Sequence, residues 1–155
     1  MPFHIGNEIY DSQLIIAYIN LCKPKITKIP MSEKIIEQNL LHNEWYNAHG
    51  KNGFSILDVI NNKKVHAKHY QRMINANVNY PIVIWKEKKL VIDGNHRLGH
   101  AFINDHEYIK TVIVDNAFMK KILLGTFRNK REFDEVIASY KLHDYIELFV
   151  KKFCK

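Results

Sequence analysis

Apolar residues recur at helical spacing at Ile9, Leu14, Ile15, Tyr18, Ile19 and Cys22. Lys23 and Pro24 close the run, because the residue before a proline is pushed out of the α region. The spacing predicts an N-terminal helix. From Lys25 to Pro30, Ile26 and Ile29 stand among polar and charged positions, the pattern of a short strand that the proline ends. Ser32 and Glu33 offer the cap of a short helix, and Ala-His-Gly-Lys-Asn-Gly at 48–53 reads as a loop. Ser55 to Ile60 reads as a single helical turn. Val65 to Ala76 reads as a longer helix carrying His66, His69 and Arg72 on neighbouring faces.

The middle of the chain has the clearest period. Tyr80 to Trp85 and Leu90 to Ile92 are β-rich runs joined by the polar Lys86, Glu87, Lys88 and Lys89, which predicts a hairpin. Asp93 and Gly94 break the second run, and Leu98, Ala101, Phe102 and Ile103 then repeat at helical spacing up to Asn104. Tyr108 to Val114 alternates as a further strand. Ala117 to Leu124 reads as a helix with Gly125 as its C′ residue, and a last amphipathic helix is expected from Lys130 to Phe153, with Phe133, Val136, Ile137, Tyr140, Ile146 and Phe149 on its apolar side.

Composition narrows the class. At 155 residues with 46% hydrophobic and 25% charged positions, the chain has the makeup of a folded domain and not of a disordered segment. The net charge of +7 rests on 19 Lys against 4 Arg, so it favours anionic partners only weakly, and the abundance of Lys, Ile and Asn reads as codon bias. No run reaches the roughly 18 apolar residues of a membrane span, and the first residues lack the basic and apolar regions of a signal peptide, so a cytoplasmic protein without a membrane partner is expected. Cys22 and Cys154 belong to no metal-ligand spacing and suggest no disulfide framework; reduced thiols are expected.

Chemistry concentrates at Ile92 to Leu98, a strand, Asp-Gly and helix junction. A helix N-terminus presents unpaired N–H groups and the positive end of the helix dipole, and a glycine lets the chain approach a ligand closely. His96 and Arg97 add a titratable donor and a fixed cation, so the turn has the parts of a phosphate cradle. Asp93 stands where it can orient a hydroxyl or hold Mg²⁺. The plain alternative is that Asp93 caps the helix, Gly94 supports a turn and Arg97 pairs with a carboxylate. His66 and His69, spaced i, i+3, either form a polar helix face or contact a ligand or metal. His100 is expected to pack under the site. Trp45, Tyr46, Phe54, Tyr80 and Trp85 are the aromatic residues available to stack on a base, with burial the expected fate of Tyr80 and Trp85 and a lid role open to Trp45 and Tyr46.

From Ile26 to about Gly125 the chain resembles the ParB/sulfiredoxin superfamily. Ile-Thr-Lys-Ile-Pro-Met-Ser at 26–32 is similar to its first strand and exit. Asn-Tyr-Pro-Ile-Val-Ile-Trp at 79–85 is similar to its Pro-Ile strand, and Asp-Gly-Asn-His-Arg-Leu-Gly-His-Ala at 93–101 to the Asp-Gly-x-His-Arg signature of small ParB-like proteins and free serine kinases. Tyr-Ile-Lys-Thr-Val-Ile-Val and the Lys-Lys-Ile-Leu-Leu-Gly at 120–125 match its closing strand and helix.

The resemblance implies an α+β fold with a small mixed sheet flanked by helices. The chain is then one domain over 1–155, with a core at 26–125, an N-terminal helix within 1–24 and a C-terminal helix within 126–155. It further implies a purine nucleotide, ATP or ADP with Mg²⁺, whose phosphates meet Gly94, Asn95, His96 and Arg97, and a nucleotide contact at Lys64. Asn95 stands where sulfiredoxins carry the catalytic cysteine, so the thiolate chemistry of that branch is excluded. The Gly-Glu-Arg-Arg box of partition proteins is absent as well. The kinase-like pattern remains: Asp93 serves an acceptor hydroxyl or the metal, His96 assists, and Glu37 or Glu33 supplies the upstream base. The expected function is a nucleotide-dependent phosphotransferase or nucleotide hydrolase acting on an unidentified acceptor. The rivals are a nucleic-acid-binding protein or nuclease, and a non-catalytic module whose homodimer responds to nucleotide through the terminal helices.

Overall fold

A computed structural model describes residues 1–46 and 53–153 and shows an α+β protein. In chain order, strands β1 (Pro2–Ile5) and β2 (Glu8–Asp11) precede α1 (Ser12–Cys22), and β3 (Thr27–Pro30) precedes α2 (Lys34–Leu41). The short strands β4 (Trp45–Tyr46) and β5 (Gly53–Phe54) lead into α3 (Ile56–Asn61) and α4 (Ala67–Ile74). There follow β6 (Ile82–Trp85), β7 (Leu90–Asp93), α5 (Asn95–Ile103) and β8 (Tyr108–Val114). The chain continues through α6 (Asn116–Ile122), β9 (Gly125–Thr126), α7 (Lys130–Ser139) and α8 (Leu142–Phe153). These elements fall into two compact units, Ile26–Val114 and the two chain ends, Met1–Lys25 with Asp115–Lys155.

The Ile26–Val114 unit is built on a sheet of order β3-β8-β6-β7, in which β8 runs parallel to β6 and antiparallel to β3. The predicted hairpin is β6 paired antiparallel with β7, and the predicted helix after Gly94 is α5. Every residue of β6 is buried, which explains why Ile82–Trp85 is a continuous apolar run with no alternation. One face packs with Ile36 and Leu40 of α2, Ile56 and Val59 of α3, Met73 of α4, and Leu98 and Ala101 of α5. Each of these side chains except Ala101 contributes about 1.5–3 kcal/mol when fully buried. Ser55 caps α3 reciprocally: its hydroxyl accepts from Asp58 N–H at 3.1 Å, and the Asp58 carboxylate accepts from Ser55 N–H at 2.8 Å.

Two further contacts position the elements around the later site. Asn39, only 1% exposed, donates to Ile35 O at 2.8 Å and Lys89 O at 3.0 Å and accepts from Val91 N–H at 2.9 Å, tying α2 to the start of β7. Gly99 lets α5 approach α4, since a Cβ there would stand 2.6 Å from Met73 Sδ. His100 donates from Nδ1 to Met73 O and Ile74 O at 2.9 and 3.1 Å, so it closes the C-terminal carbonyls of α4, in keeping with its expected place beneath the site.

In the unit formed by the chain ends, β1, β2 and β9 make an antiparallel sheet. The expected N-terminal helix begins only at Ser12, capped by Asp11, whose carboxylate accepts Gln13 N–H at 2.8 Å; Ile9 belongs to β2 instead. Gly125 is a strand residue of β9 paired with Ile9, not a helix C′, and a Cβ on it would lie 3.1 Å from both methyls of Val136. The single C-terminal helix expected from Lys130 to Phe153 is two helices, parted where Tyr140 turns extended at φ −77° and ψ 132°. Cys22 is disulfide-bonded, which corrects the expectation of a reduced thiol; the other cysteine, Cys154, lies outside the described residues. Among the described residues no helix is long and apolar enough to cross a membrane.

Candidate functional site

The junction singled out in the sequence is a sharp turn from β7 into α5. Gly94 sits between them at φ +97°, a left-handed conformation that side chains other than glycine rarely adopt, and the first intrahelical bond is Leu98 N–H to Gly94 O at 2.9 Å. A Cβ at Gly94 would stand 2.7 Å from Arg97 Nη2 and 2.9 Å from Ile82 Cγ2. The glycine therefore makes room for the Arg97 guanidinium as well as for the turn.

Arg97 folds back over that turn. Its Nη2 donates to Asp93 Oδ2 and to Pro81 O, each at 3.0 Å, and its guanidinium lies 5.0 Å from the Tyr80 ring centroid. The plain alternative for Arg97, a carboxylate pair, is thus present, and the partner is Asp93 itself. Arg97 Nε is buried with no acceptor.

His96 turns toward α4. Its Nε2 lies 3.0 Å from His69 Nδ1, and the Trp45 ring covers both imidazoles, with centroids 5.0 Å from His96 and 4.4 Å from His69. Phe54 stacks on His66 at 4.1 Å. The i, i+3 pair is therefore split between two different partners. Burial first, then competition from the protonated form of His69 and the charges of Arg72 and Arg97, push the His96 imidazole down to about 4, so it is neutral near pH 7. His69 is lowered by burial, then by Arg72 and His66.

Asn95 reaches the other way. Its Nδ2 donates to Glu44 Oε2 at 3.0 Å, and Glu44 Oε1 meets His42 Nδ1 at 3.0 Å. The Glu44 side chain is 12% exposed, and burial raises its carboxyl above the usual range against the opposing pull of His42 and Asn95. Asn95 Oδ1 is buried without a partner. Sequence reasoning missed Glu44: it belongs to no motif and meets Asn95 across 51 positions of chain.

Beside this turn lies a cavity of about 620 Å³ between α4, α5 and the segment before β6. Lys68, Arg72, Arg97 and His96 line it, with Tyr80 as an aromatic wall, and among the described residues no carboxylate does. Of the residues named from sequence, Asp93, Gly94, Asn95, His96 and Arg97 share the turn. Glu37 and Glu33 are exposed at the start of α2, and Lys64 lines a separate hollow with Ile60 and Val65. Lys68, one turn further along, occupies the cavity wall for which Lys64 was expected. Trp45 and Phe54 are engaged with histidines, Trp85 is 4% exposed, and Tyr80 is half-buried at the cavity instead of in the core. The lid expected near Tyr46 falls on the loop at 48–53, of which 48–52 lie outside the described residues.

The turn can do two things chemically. Its cationic side offers fixed positive charge to the oxygens of an anion. Its other side offers the Glu44 carboxyl, whose affinity for a proton burial raises, to a group that donates protons. Compared with protein-family models, curated proteins and solved structures, the chain matches none.

Proposed function

We propose that the cavity between α4 and α5 binds the phosphates of a nucleotide, and that the turn at Asp93–Arg97 passes a phosphoryl group to an acceptor hydroxyl or to water. One observation carries the reading: Lys68, Arg72, Arg97 and His96 line one cavity that no carboxylate among the described residues lines, although Arg97 itself is paired with Asp93. Its volume lies in the range of small-molecule sites. The ParB/sulfiredoxin resemblance points the same way, since it assigns phosphates to His96 and Arg97.

Phosphoryl transfer asks mainly for positioning and for neutralisation of phosphate charge. Arg72 and Lys68 would meet the phosphates, while Asp93 and Pro81 hold Arg97 in place. Tyr80 would flank the ligand. Glu44 replaces Glu37 as the upstream carboxylate: its raised affinity for a proton suits it to take one from an acceptor hydroxyl as oxygen bonds to phosphorus and the nucleotide leaves. Asp93 has Oδ2 bound to Arg97, so one carboxylate oxygen is left to a Mg²⁺ whose remaining ligands would be phosphate oxygens and water. Such an ion would neutralise phosphate charge.

Titration calorimetry with ATP, ADP, GTP and CTP, with and without Mg²⁺, tests the reading on the intact protein and on Arg72→Ala and Lys68→Ala. Binding that these exposed-residue variants weaken tenfold or more places the phosphates in the cavity. Affinity for nucleic acid that falls steeply with salt, without nucleotide binding, would replace the reading with the nucleic-acid one. The nucleotide reading goes with a cytoplasmic protein. The disulfide at Cys22 opposes that placement, since reduced thiols are the rule there, and alkylation of protein taken directly from cells decides it.

A further inference from the structure

We infer that His69 and His96 form a one-proton acceptor built into the cavity, so that a doubly charged oxyanion enters together with a proton from solvent. The inference rests on the phosphate reading above and goes on to its pH coupling. His69 Nδ1 and His96 Nε2 are 3.0 Å apart, with the rings within 15° of parallel. Such a contact needs one nitrogen with a hydrogen and one with a lone pair, so two imidazoles protonated on both facing nitrogens cannot make it. Trp45 lies against both rings and Phe54 meets His69 edge-on at 5.4 Å, which holds the pair in register.

The charges around the pair explain why it is neutral before ligand arrives. From α4 it faces Lys68, Arg72 and His66; from α5 it faces Arg97, whose charge is shared with Asp93. From the segment ahead of β4 comes Glu44, which is occupied with Asn95 and His42. Burial and Arg72, with Arg97 acting on His96 as well, lower the proton affinity of both imidazoles, and His96 is uncharged at neutral pH. A dianion among Lys68, Arg72, Arg97 and His96 reverses the local field, and an opposite charge at contact distance favours a charged form by about 1–3 pH units. The proton goes to His96. Its Nε2–H then donates to the lone pair of His69 Nδ1, so the bond between the rings survives. His69 is accordingly a positioning residue, acting through His96.

Calorimetric titration of sulfate, which keeps both charges across the range used, and of pyrophosphate reads the coupling. Measurements at pH 5.5 in two buffers of different ionisation enthalpy count the protons taken up, and circular dichroism monitors the fold. Uptake near one proton per sulfate is expected, with affinity falling about tenfold from pH 5 to pH 6 once the bound pair titrates above that range. His96→Asn should lose the uptake. His69→Asn, which keeps an acceptor at the Nδ1 position, should retain it, and His69→Leu should lose at least half. Clear binding that Arg72→Ala weakens, but with uptake below about 0.2 proton in the intact protein, overturns the coupling and leaves the phosphate reading standing. No binding of either anion at any pH overturns both.

Discussion

Truncating Arg97 to alanine removes more than a ligand contact, and the size of the loss follows from the structure. Its bond to Asp93 is charge-assisted, and both side chains are 20% exposed, so solvent screening reduces it to about 1.5 kcal/mol. The guanidinium over Tyr80 contributes about 0.5–1 kcal/mol, and Pro81 O, on a buried residue, loses its donor at about 1 kcal/mol. The total is about 3 kcal/mol. For a chain of this length that lowers Tm by about 6–12 °C. Urea unfolding followed by circular dichroism at pH 7 measures it. The Asp93→Asn and Arg97→Ala double cycle should return a coupling of about 1–2 kcal/mol. Arg72→Ala, at an exposed position of the same cavity, should stay within about 0.5 kcal/mol of the parent protein. An Arg97→Ala protein as stable as the parent would refute the account of the turn, and with it the view that Arg97 is a strut first and a ligand contact second.

Three further outcomes follow from the same geometry. In the unfolded chain His96 titrates near 6.5 but in the folded chain near 4, so between those values the unfolded state binds more protons and stability climbs with pH. The gain is full above 6.5 and lost as pH falls through 4; because His96 is only half-buried it amounts to about 2 kcal/mol, and His96→Asn should flatten that part of the urea-midpoint profile. Gly94→Ala meets both the positive φ and the 2.7 Å approach to Arg97 Nη2, and a loss of about 2–3 kcal/mol is expected in thermal unfolding; a loss under about 0.5 kcal/mol would mean the turn relaxes freely. Asn39→Ala strands Val91 N–H and Lys89 O and should cost about 2–4 kcal/mol, with hydrogen exchange at Val91 accelerated; unchanged exchange there would contradict the tie between α2 and β7.

The elements read well from sequence where the period was local and uninterrupted. Ile82–Trp85, the lysine-rich turn and Leu90–Asp93 carry their pairing in adjacent residues, and Gly94 marks the start of α5 because its backbone conformation has few alternatives. The chain ends read less well. Ile9 satisfied the helical spacing while its strand partner Gly125 stood far along the chain, and Tyr140 sustains the apolar pattern through the point where α7 stops. The site was half legible for the same reason. Asp93 to Arg97 lie in one run, whereas Glu44 and His69 reach it across 51 and 27 positions, and the choice of Lys68 over Lys64 depends on how α4 is turned. Local pattern names the turn; only tertiary packing names what surrounds it.

The Gly99 and Met73 contact, deep beneath the cavity, sets how far apart its walls stand. Met73 is fully buried, and a Cβ at position 99 would stand 2.6 Å from its Sδ, so either the thioether turns aside or α4 moves off by about 1 Å. Lys68 and Arg72 ride on that helix, while His96 and Arg97 stay with α5. The width of the cavity can therefore change through position 99, which carries no side chain and does not line it.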